Sequence, residues 1–211
     1  MADVTIATDP PRRDRLEPGR RERKKRQTRD ELMLHAARLF AERGFDGVTT
    51  EDIAEAADVS QRTFFRHFPS KEAVLYGHVD ELCEAMTAEL ALRPSDEHVV
   101  DAVRASVRTL ADHYADHHDE AFLQARLAAE FPSVAAHARA VVQTEWEHEL
   151  TAAIAERMAV DPLRDPFPEV LAGAAFAAFR SAIRRWGATG GQSDFGVLLD
   201  ESLGVLASLA D

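Results

Sequence analysis

The chain has 211 residues, of which 45% are hydrophobic and 29% are charged, and this composition excludes an intrinsically disordered protein. Its single cysteine, Cys83, excludes an internal disulfide and suits the reducing cytoplasm. The net charge of −12 is uneven, because residues 1–71 carry 15 Lys and Arg against 13 Asp and Glu while the remainder is strongly acidic. Such a division is typical of a protein that reads DNA with a small head and does not wrap it unspecifically.

The N-terminal segment combines helix-breaking residues with a run of cations. Three prolines and no periodic apolar pattern predict a disordered basic arm over residues 1–25. No apolar stretch typical of a secretory signal follows, so we expect a cytoplasmic protein. The cations of residues 20–26 either contact DNA phosphates or act as a solubilising tail, and both interpretations stay open. Arg26 and Arg29 are the favoured contacts because they adjoin the first helix.

The first predicted helix braces the residues that follow it. Thr28 with Glu31 forms a capping-box pattern, which predicts the start of this helix. Gly44 predicts its end, since glycine accepts a positive φ without strain. Phe45 is then expected to pack back on Phe40.

Residues 49–75, TTEDIAEAADVSQRTFFRHFPSKEAVL, have the pattern of two short helices joined by a tight turn, with another helix beginning after them. Thr49 with Asp52 predicts a capped first helix, and Asp58 tolerates the left-handed conformation at the turn. Ser60 is placed to cap the second helix. This is the helix-turn-helix pattern, whose second helix enters the major groove of DNA.

The second helix, residues 61–67, has one apolar and one polar face. Phe64 and Phe68 are four residues apart and face inward. Ser70 is placed to cap the following helix, with Lys71 in its first turn. The polar side chains left outside are those of Gln61, Arg62, Thr63 and Arg66.

The stretch 26–75 resembles the DNA-binding domain of TetR-family transcriptional regulators. The resemblance is carried by the string TTxxIAxxAxVSxxTFFxHFxSKExxL. It implies a ligand-responsive repressor that leaves a palindromic operator when a small, largely apolar effector binds. It also implies base contacts from residues 61–63 and a phosphate contact from the N–H and ammonium of Lys71. The full set of implied DNA contacts is Arg26, Arg29, Thr50, Ser60, Gln61, Arg62, Thr63, Phe65, Arg66, His67 and Lys71.

Two positions depart from the family pattern. Asp58 stands where many members have glycine, and Phe65 stands where many have tyrosine. Because Phe65 has no hydroxyl, it cannot donate a hydrogen bond to a phosphate. We expect packing or an apolar contact there instead.

The rest of the chain is helical in pattern, with no strand pattern and no internal repeat. The predicted helices cover residues 71–92, 96–117, 119–130, 132–158, 169–187 and 195–210. We therefore expect an all-α fold of about nine helices: a three-helix head over 26–75, and an effector-binding and dimerisation domain over 76–211. The most apolar run, residues 170–179, is shorter than the roughly 20 residues of a membrane span, so no membrane partner is expected.

The last two predicted helices are apolar almost all round, so one neighbouring helix cannot cover them. They either pair with the same helices of a second copy, as a four-helix bundle, or are simply core. We favour the homodimer, partly because a palindromic operator needs two reading heads.

The resemblance further implies an effector pocket in the body. Each candidate lining residue has plain core packing as an equal alternative. The candidates are Phe122, Leu123, Arg126, Trp146, Phe176 and Arg180. More weakly, residues 126–146 resemble an actinobacterial subgroup that includes mycofactocin-system regulators, which implies an acyl-CoA-type effector.

Two short motifs suggest chemistry other than DNA binding. Within HYADHHD, residues 113–119, His113 and His117 have a workable spacing for metal ligands, but a solvated helix end is the simpler interpretation. Glu145-x-x-His148 is a single copy of the motif that di-iron bundles repeat. No phosphate-binding loop or nucleophile motif occurs, so we expect no enzyme, metal or cofactor. A ferritin-like metalloprotein and a helical adaptor without DNA binding remain as alternatives.

Overall fold

The computed structural model describes residues 19–210, which form eleven α-helices and no β-strand. The helices are α1 (Arg20–Arg43), α2 (Thr50–Ala56), α3 (Gln61–His67), α4 (Val79–Leu92), α5 (Val99–Arg108), α6 (Leu110–Asp116), α7 (His118–Glu130), α8 (Pro132–His137), α9 (Thr144–Met158), α10 (Phe167–Ala188) and α11 (Phe195–Ala210). A 3-10 helix, Ala73–Tyr76, precedes α4, and a π-helical turn, Ala138–Gln143, joins α8 to α9. The all-α prediction is confirmed, whereas the disorder predicted for residues 1–18 falls outside the described residues.

The first helix is longer than predicted. α1 begins at Arg20, and the N–H of Arg23 donates to the carbonyl oxygen of Gly19 at 3.0 Å. Thr28 lies inside this helix, so the prediction that a Thr28–Glu31 box begins it was wrong. Arginine and lysine are good helix formers, so the run of cations continues the helix although it lacks an apolar face.

The predicted helix 71–92 is interrupted at the joint between head and body. Its first part is the 3-10 helix, and α4 begins only at Val79. Between them the main chain at Gly77 passes so close to α1 that a Cβ atom would lie 2.2 Å from the sulfur of Met33. Arg29 of α1 donates from Nε to the Gly77 carbonyl oxygen at 3.0 Å. This close approach favours a turn there over a continuous helix.

Two other predicted helices are subdivided. The stretch 96–117 becomes α5 and α6, which meet at Thr109, and the stretch 132–158 becomes α8, the π-helical turn and α9. The Thr109 hydroxyl donates to the carbonyl oxygen of Ser106 at 2.7 Å, and a hydroxyl bonded back onto its own helix often bends that helix. The remaining predicted helices lie where expected, within a few residues at their ends.

The buried apolar side chains form two clusters. The first holds the inner faces of α1, α2 and α3, and it also includes Leu123 and Leu127 of α7 and Val134 of α8. The second fills the body between α4, α5, α6, α9, α10 and α11. Helices from the body therefore complete the core of the head.

Candidate DNA-binding face and effector site

The two helices of the helix-turn-helix are fixed by local hydrogen bonds. Thr49 Oγ1 accepts from the Asp52 N–H at 3.1 Å, and the Asp52 carboxylate accepts from the Thr49 N–H at 2.8 Å. Hydrogen bonds from the Thr49 hydroxyl and N–H hold the pKa of Asp52 below its ordinary value. Asp58 has a φ of 53°, and Ser60 Oγ accepts from the Thr63 N–H at 3.1 Å. Both predicted caps and the predicted left-handed turn residue are confirmed.

Helix α3 has one face locked into the head core and one face open. Phe64 and Phe68 are almost completely buried, as predicted, with their ring centroids 5.9 Å apart. Gln61 Nε2 donates to Thr50 Oγ1 at 3.1 Å and so ties α3 to the first residue of α2. The side chains on the open face are Gln61, Arg62, Phe65 and Arg66, with Thr63 half-buried beside them.

Phe65 is an apolar ring on this open face. Its side chain is 51% exposed, and its ring stands edge-on to that of Phe64, at 5.5 Å and 89°. Because Phe64 is fixed in the core, the position of the Phe65 ring is also restricted. The expected apolar contact to DNA is compatible with this geometry and stays a prediction.

The ammonium of Lys71 is turned into the head. Nζ donates to the carbonyl oxygens of Phe45 and Val48, at 2.8 and 2.9 Å, and lies 4.2 Å from the centre of the Phe45 ring. Lys71 also precedes a 3-10 helix rather than beginning an α-helix. The phosphate contact implied for its side chain therefore does not fit this structure, because the loop after α1 offers carbonyl oxygens that need a donor.

Two more of the residues with an implied DNA contact, Arg29 and His67, have side chains that point into the head. Arg29 donates from NH1 to the carbonyl oxygen of His67 at 3.2 Å, and its guanidinium lies 4.6 Å from the centre of the Phe68 ring. The His67 side chain is buried, and neither ring nitrogen has a hydrogen-bond partner among the described residues. Burial and the neighbouring Arg66 lower the pKa of His67, so the ring is neutral at physiological pH. Both side chains pack the head and do not face solvent on α3.

The cations before Arg29 are presented on a rigid helix rather than on an arm. Residues 20–26 form the first turns of α1 and are exposed. Arg26 lies 3.7 Å from Glu81, in an exposed ion pair that is worth little and leaves Arg26 open to other anions. The sequence pattern identified these cations but gave no reason to place them on a helix.

Three of the six predicted effector residues come together between α9 and α10. The Trp146 and Phe176 rings are 5.4 Å apart, and Phe179 lies 5.7 Å from Trp146. Arg180 follows one position later, with NH1 3.9 Å from the carboxylate of Glu147. Trp146 Nε1 and Arg180 NH1 are buried without a hydrogen-bond partner in the described part of the chain. The three rings belong to the buried core of the body, and Trp146 Nε1 is a donor that an acceptor oxygen of a ligand could satisfy.

The other three predicted effector residues lie elsewhere. Phe122 packs against Trp186, with centroids 5.7 Å apart. Leu123 is buried in the head cluster, and Arg126 is exposed. All three belong to α7, which packs against the head on one side. Helical spacing alone therefore does not show whether each side chain joins the head cluster or the body cluster.

Two features are absent from the described residues, 19–210. In this range no group of three or more histidine, cysteine, aspartate or glutamate side chains is arranged to hold a metal ion. None of its helices is both long enough and apolar enough to span a membrane.

Comparison with known proteins identifies both parts of the chain. Residues 32–76 match the family model of bacterial regulatory proteins of the tetR family, and residues 97–210 match the MftR C-terminal domain. The chain is 35% identical over 175 residues to the HTH-type transcriptional regulator TcmR of Streptomyces glaucescens, which covers 80% of this chain and 77% of TcmR. The chain belongs to the TetR family. It is accordingly a DNA-binding transcriptional regulator with a helix-turn-helix head, as the resemblance implied.

Solved structures of TetR-family members have the same fold. A TetR-family repressor of Thermus thermophilus, FadR, solved in complex with lauroyl-CoA, is 27% identical to this chain. The aligned region covers 85% of this chain and 93% of the FadR chain, with a TM-score of 0.55. The fatty acid degradation regulator FadR of Bacillus halodurans is 16% identical over 85% of this chain and 94% of its own, with a TM-score of 0.60, and shows the fold alone.

Proposed function

We propose that this TetR-family member is a cytoplasmic, homodimeric repressor whose two heads bind a palindromic operator, and that a small, largely apolar effector releases it. The open face of α3 carries the proposal. Two cations and an exposed ring stand on a helix whose opposite face is fixed by Phe64 and Phe68, so the polar side chains are pre-positioned for a major groove.

The proposed contacts divide into base readers and positioning groups. Arg62 in the first turn of α3 would make a bidentate contact to guanine, while Gln61 and Thr63 read neighbouring base edges. Phe65 would make an apolar contact, for which the methyl group of thymine is the natural partner. The groups proposed to contact phosphates are those of Arg26, Thr50, Ser60 and Arg66.

A titration against the DNA upstream of the chain's own gene tests the proposal. Arg62→Ala is expected to weaken binding by about 1–3 kcal/mol and to relax base preference at one position, because a bidentate base contact is lost. Fluorescence anisotropy at several salt concentrations measures both effects. Arg164→Ala is the matched control, since that arginine is highly exposed in the loop before α10. Equal affinity and equal base preference of Arg62→Ala and the unmodified chain would reject the assignment.

For the effector we propose an acyl-CoA. The FadR relative of Thermus thermophilus was solved with lauroyl-CoA, and the wall formed by Trp146, Phe176 and Phe179 supplies apolar area for an acyl chain. Trp146 Nε1 would then bond to an acceptor oxygen of the ligand, as would Arg180 NH1 in exchange for its ion pair with Glu147. DNA and effector would weaken each other to the same degree, as linkage requires.

Lauroyl-CoA is a usable probe of this second step. Its addition to the protein–operator complex is expected to release DNA, measured by anisotropy. Arg180→Met should raise the concentration that is needed by about tenfold, the equivalent of one hydrogen bond to a charged group. Arg184→Met, an exposed arginine on the same helix, should not change it. Release that is equally sensitive in both variants would show that Arg180 does not bind the probe.

A further inference from the structure

Three imidazole rings meet at the joint between head and body. His78 lies in the turn just before α4, His113 lies in α6, and His117 lies at the junction of α6 with α7. The ring centroids are 5.5 Å apart for His78 and His113, 5.7 Å for His78 and His117, and 4.3 Å for His113 and His117. We call these three residues the histidine cluster. Each ring touches the other two, so the cluster forms one contact between α4 and the α6–α7 junction.

The histidine cluster borders a cleft that opens between the head and the body. The cleft has a volume of about 320 Å³ and lies between α1 of the head and the residues around His117. Asp30 and Glu31 of α1 line one side, and His78, His117 and Glu120 line the other. Water therefore has access to two of the three rings.

Charged groups surround the cluster from every element that packs against it. On the side of α4, His78 Nδ1 lies 3.6 Å from the Glu81 carboxylate. Two cations of α1 are drawn to α4: Arg26 lies 3.7 Å from Glu81, and Arg29 lies 3.9 Å from Asp80. The remaining carboxylates facing the cluster are those of Asp30 and Glu31 on α1, Asp116 on α6 and Glu120 on α7.

The innermost ring, His113, is kept neutral. Burial, followed by the neighbouring His117 and His78, lowers the pKa of His113 to about 4, against the smaller opposing effect of Asp116 and Glu81. The rings of His113 and His117 stack, with an interplanar angle of 25°, and a neutral His113 allows this contact without like-charge repulsion. A positive charge on any ring would lie within 6 Å of the other two, and a second charge would place like charges in contact.

We propose that the histidine cluster is a proton-operated joint: neutral rings hold α4 against the α6–α7 junction, and protonation in mildly acidic solution separates them and frees the head to reorient. Histidine is the side chain that gains charge in this range. Glu81 lies 3.6 Å from His78, and Glu120 lines the cleft together with His117, so a protonated His78 and a protonated His117 would each have a carboxylate on their own side of the joint. Because the head carries α3, acid would weaken operator binding independently of any effector in the body.

Hydrogen exchange of the whole protein tests the joint without reference to DNA. Between pH 8.0 and 5.5 the protection factors of residues 73–82 and 112–120, corrected for intrinsic rates, are expected to fall about tenfold, the change produced by one unit of pKa difference. Residues 171–182 of α10 provide the internal reference. Unchanged protection at the joint across this range would overturn the proposal.

Three variants and a control identify the groups responsible. His113→Phe keeps a ring in place and replaces an imidazole that is already neutral between pH 8.0 and 5.5, so most of the response should remain. His113→Phe/His117→Gln leaves a single imidazole, so no like-charge pair can form and the response should disappear. His117→Gln alone changes an exposed residue and should also reduce the response. It keeps the test valid if the variants that carry phenylalanine fold poorly. His148→Gln removes an exposed histidine of α9 and should leave the response unchanged.

Operator binding supplies the functional readout, and this part rests on the proposed function. The ratio of the operator Kd at pH 5.5 to that at pH 8.0 should be about tenfold larger for the unmodified chain than for the double variant, in step with the exchange data. Equal Kd ratios for the unmodified chain and the double variant would overturn the proposal. A pH response that EDTA abolishes would also overturn it, because a metal cation and not a proton would then operate the joint. If no DNA binds at any pH, the proposed function fails, while the exchange experiment still decides on the joint.

Discussion

The ammonium of Lys71 links the turn after α3 to the loop after α1, where it donates to the carbonyl oxygens of Phe45 and Val48. These two carbonyl groups lie in a loop, so no helix provides them with a donor. A buried acceptor without a donor is costly. At the scale of single residues, the ammonium of Lys71 thus supplies a donor that the fold of the head needs.

Replacing Lys71 with methionine separates the two roles. Lys71→Met keeps the aliphatic stem but removes the ammonium donor from both carbonyl groups and leaves that of Phe45 with the longer bond from the Val48 N–H at 3.4 Å, so we expect the free energy of unfolding to fall by about 1–3 kcal/mol. Urea denaturation measures this loss, with Lys25→Met on the exposed part of α1 as control. If stability were unchanged and the salt dependence of operator binding fell by the equivalent of one phosphate contact, the ammonium would instead bind DNA.

The residue-level predictions that succeeded were local ones. Thr49, Asp52 and Ser60 have their partners within three residues along the chain, so the sequence pattern was sufficient. Arg29 and Lys71 have partners 23 to 48 residues away, and only the folded head brings these together. The contacts observed for these two cations differ from the implied ones. The sequence shows that both residues are charged, but it does not show which carbonyl groups lie near them in the folded head.

At the scale of elements, α2 and α3 are only seven residues long. Helices this short are not stable alone in water, so their caps and their packing against α1 must supply the stability. The capping box at Thr49 is part of that support, and the carboxylate of Asp52 completes it. The geometry of the reading helix therefore depends on a surface carboxylate of its neighbour.

This dependence predicts a pH effect on the head. The pKa of Asp52 is lower in the folded state than in the unfolded state, so its contribution is present above the unfolded pKa of about 3.9 and is lost as pH falls through the folded pKa. Asp52→Asn should therefore unfold more easily than the unmodified chain at pH 7, and the difference should be smaller at pH 3, which lies below the unfolded pKa. Thermal unfolding at both pH values measures this. Asp46→Asn, at an exposed loop position, should show no such convergence.

The joint between head and body was the element least visible in the sequence. Residues 71–92 have a continuous helical pattern, yet the chain turns at Gly77 because its main chain there approaches Met33 of α1. The three histidines meet at this turn, although they lie up to 39 positions apart in the chain. The spacing of His113 and His117 is visible in the sequence. The proximity of His78 to them is not, because only the fold brings it there.

At the scale of the whole molecule, α10 and α11 are apolar on two sides. Their inner sides hold Phe176, Phe179 and Leu199 in the body core. Their outer sides leave Val197 and Val205 of α11 more than half exposed, with Val170 of α10 also outside. Exposed apolar side chains grouped on two adjacent helices favour an interface, in agreement with the proposed homodimer.

Charge introduced on this outer side should separate the subunits. Val197→Asp/Val205→Asp places two carboxylates two helical turns apart on α11, so we expect sedimentation equilibrium to change from a dimer to a monomer. Leu92→Asp is the control, since that leucine is 80% exposed at the end of α4. A chain that is monomeric before any substitution, or one that stays dimeric after both, would contradict the proposed interface.

The core of the head includes Leu123, Leu127 and Val134 from α7 and α8. The segment that reads DNA is thus not an interchangeable module. A chimaera carrying residues 19–75 on the body of another regulator would lose three apolar side chains from the core that supports α3. Transfer of operator specificity between relatives would require either moving α7 and α8 together with the head or replacing the exposed side chains of α3 alone.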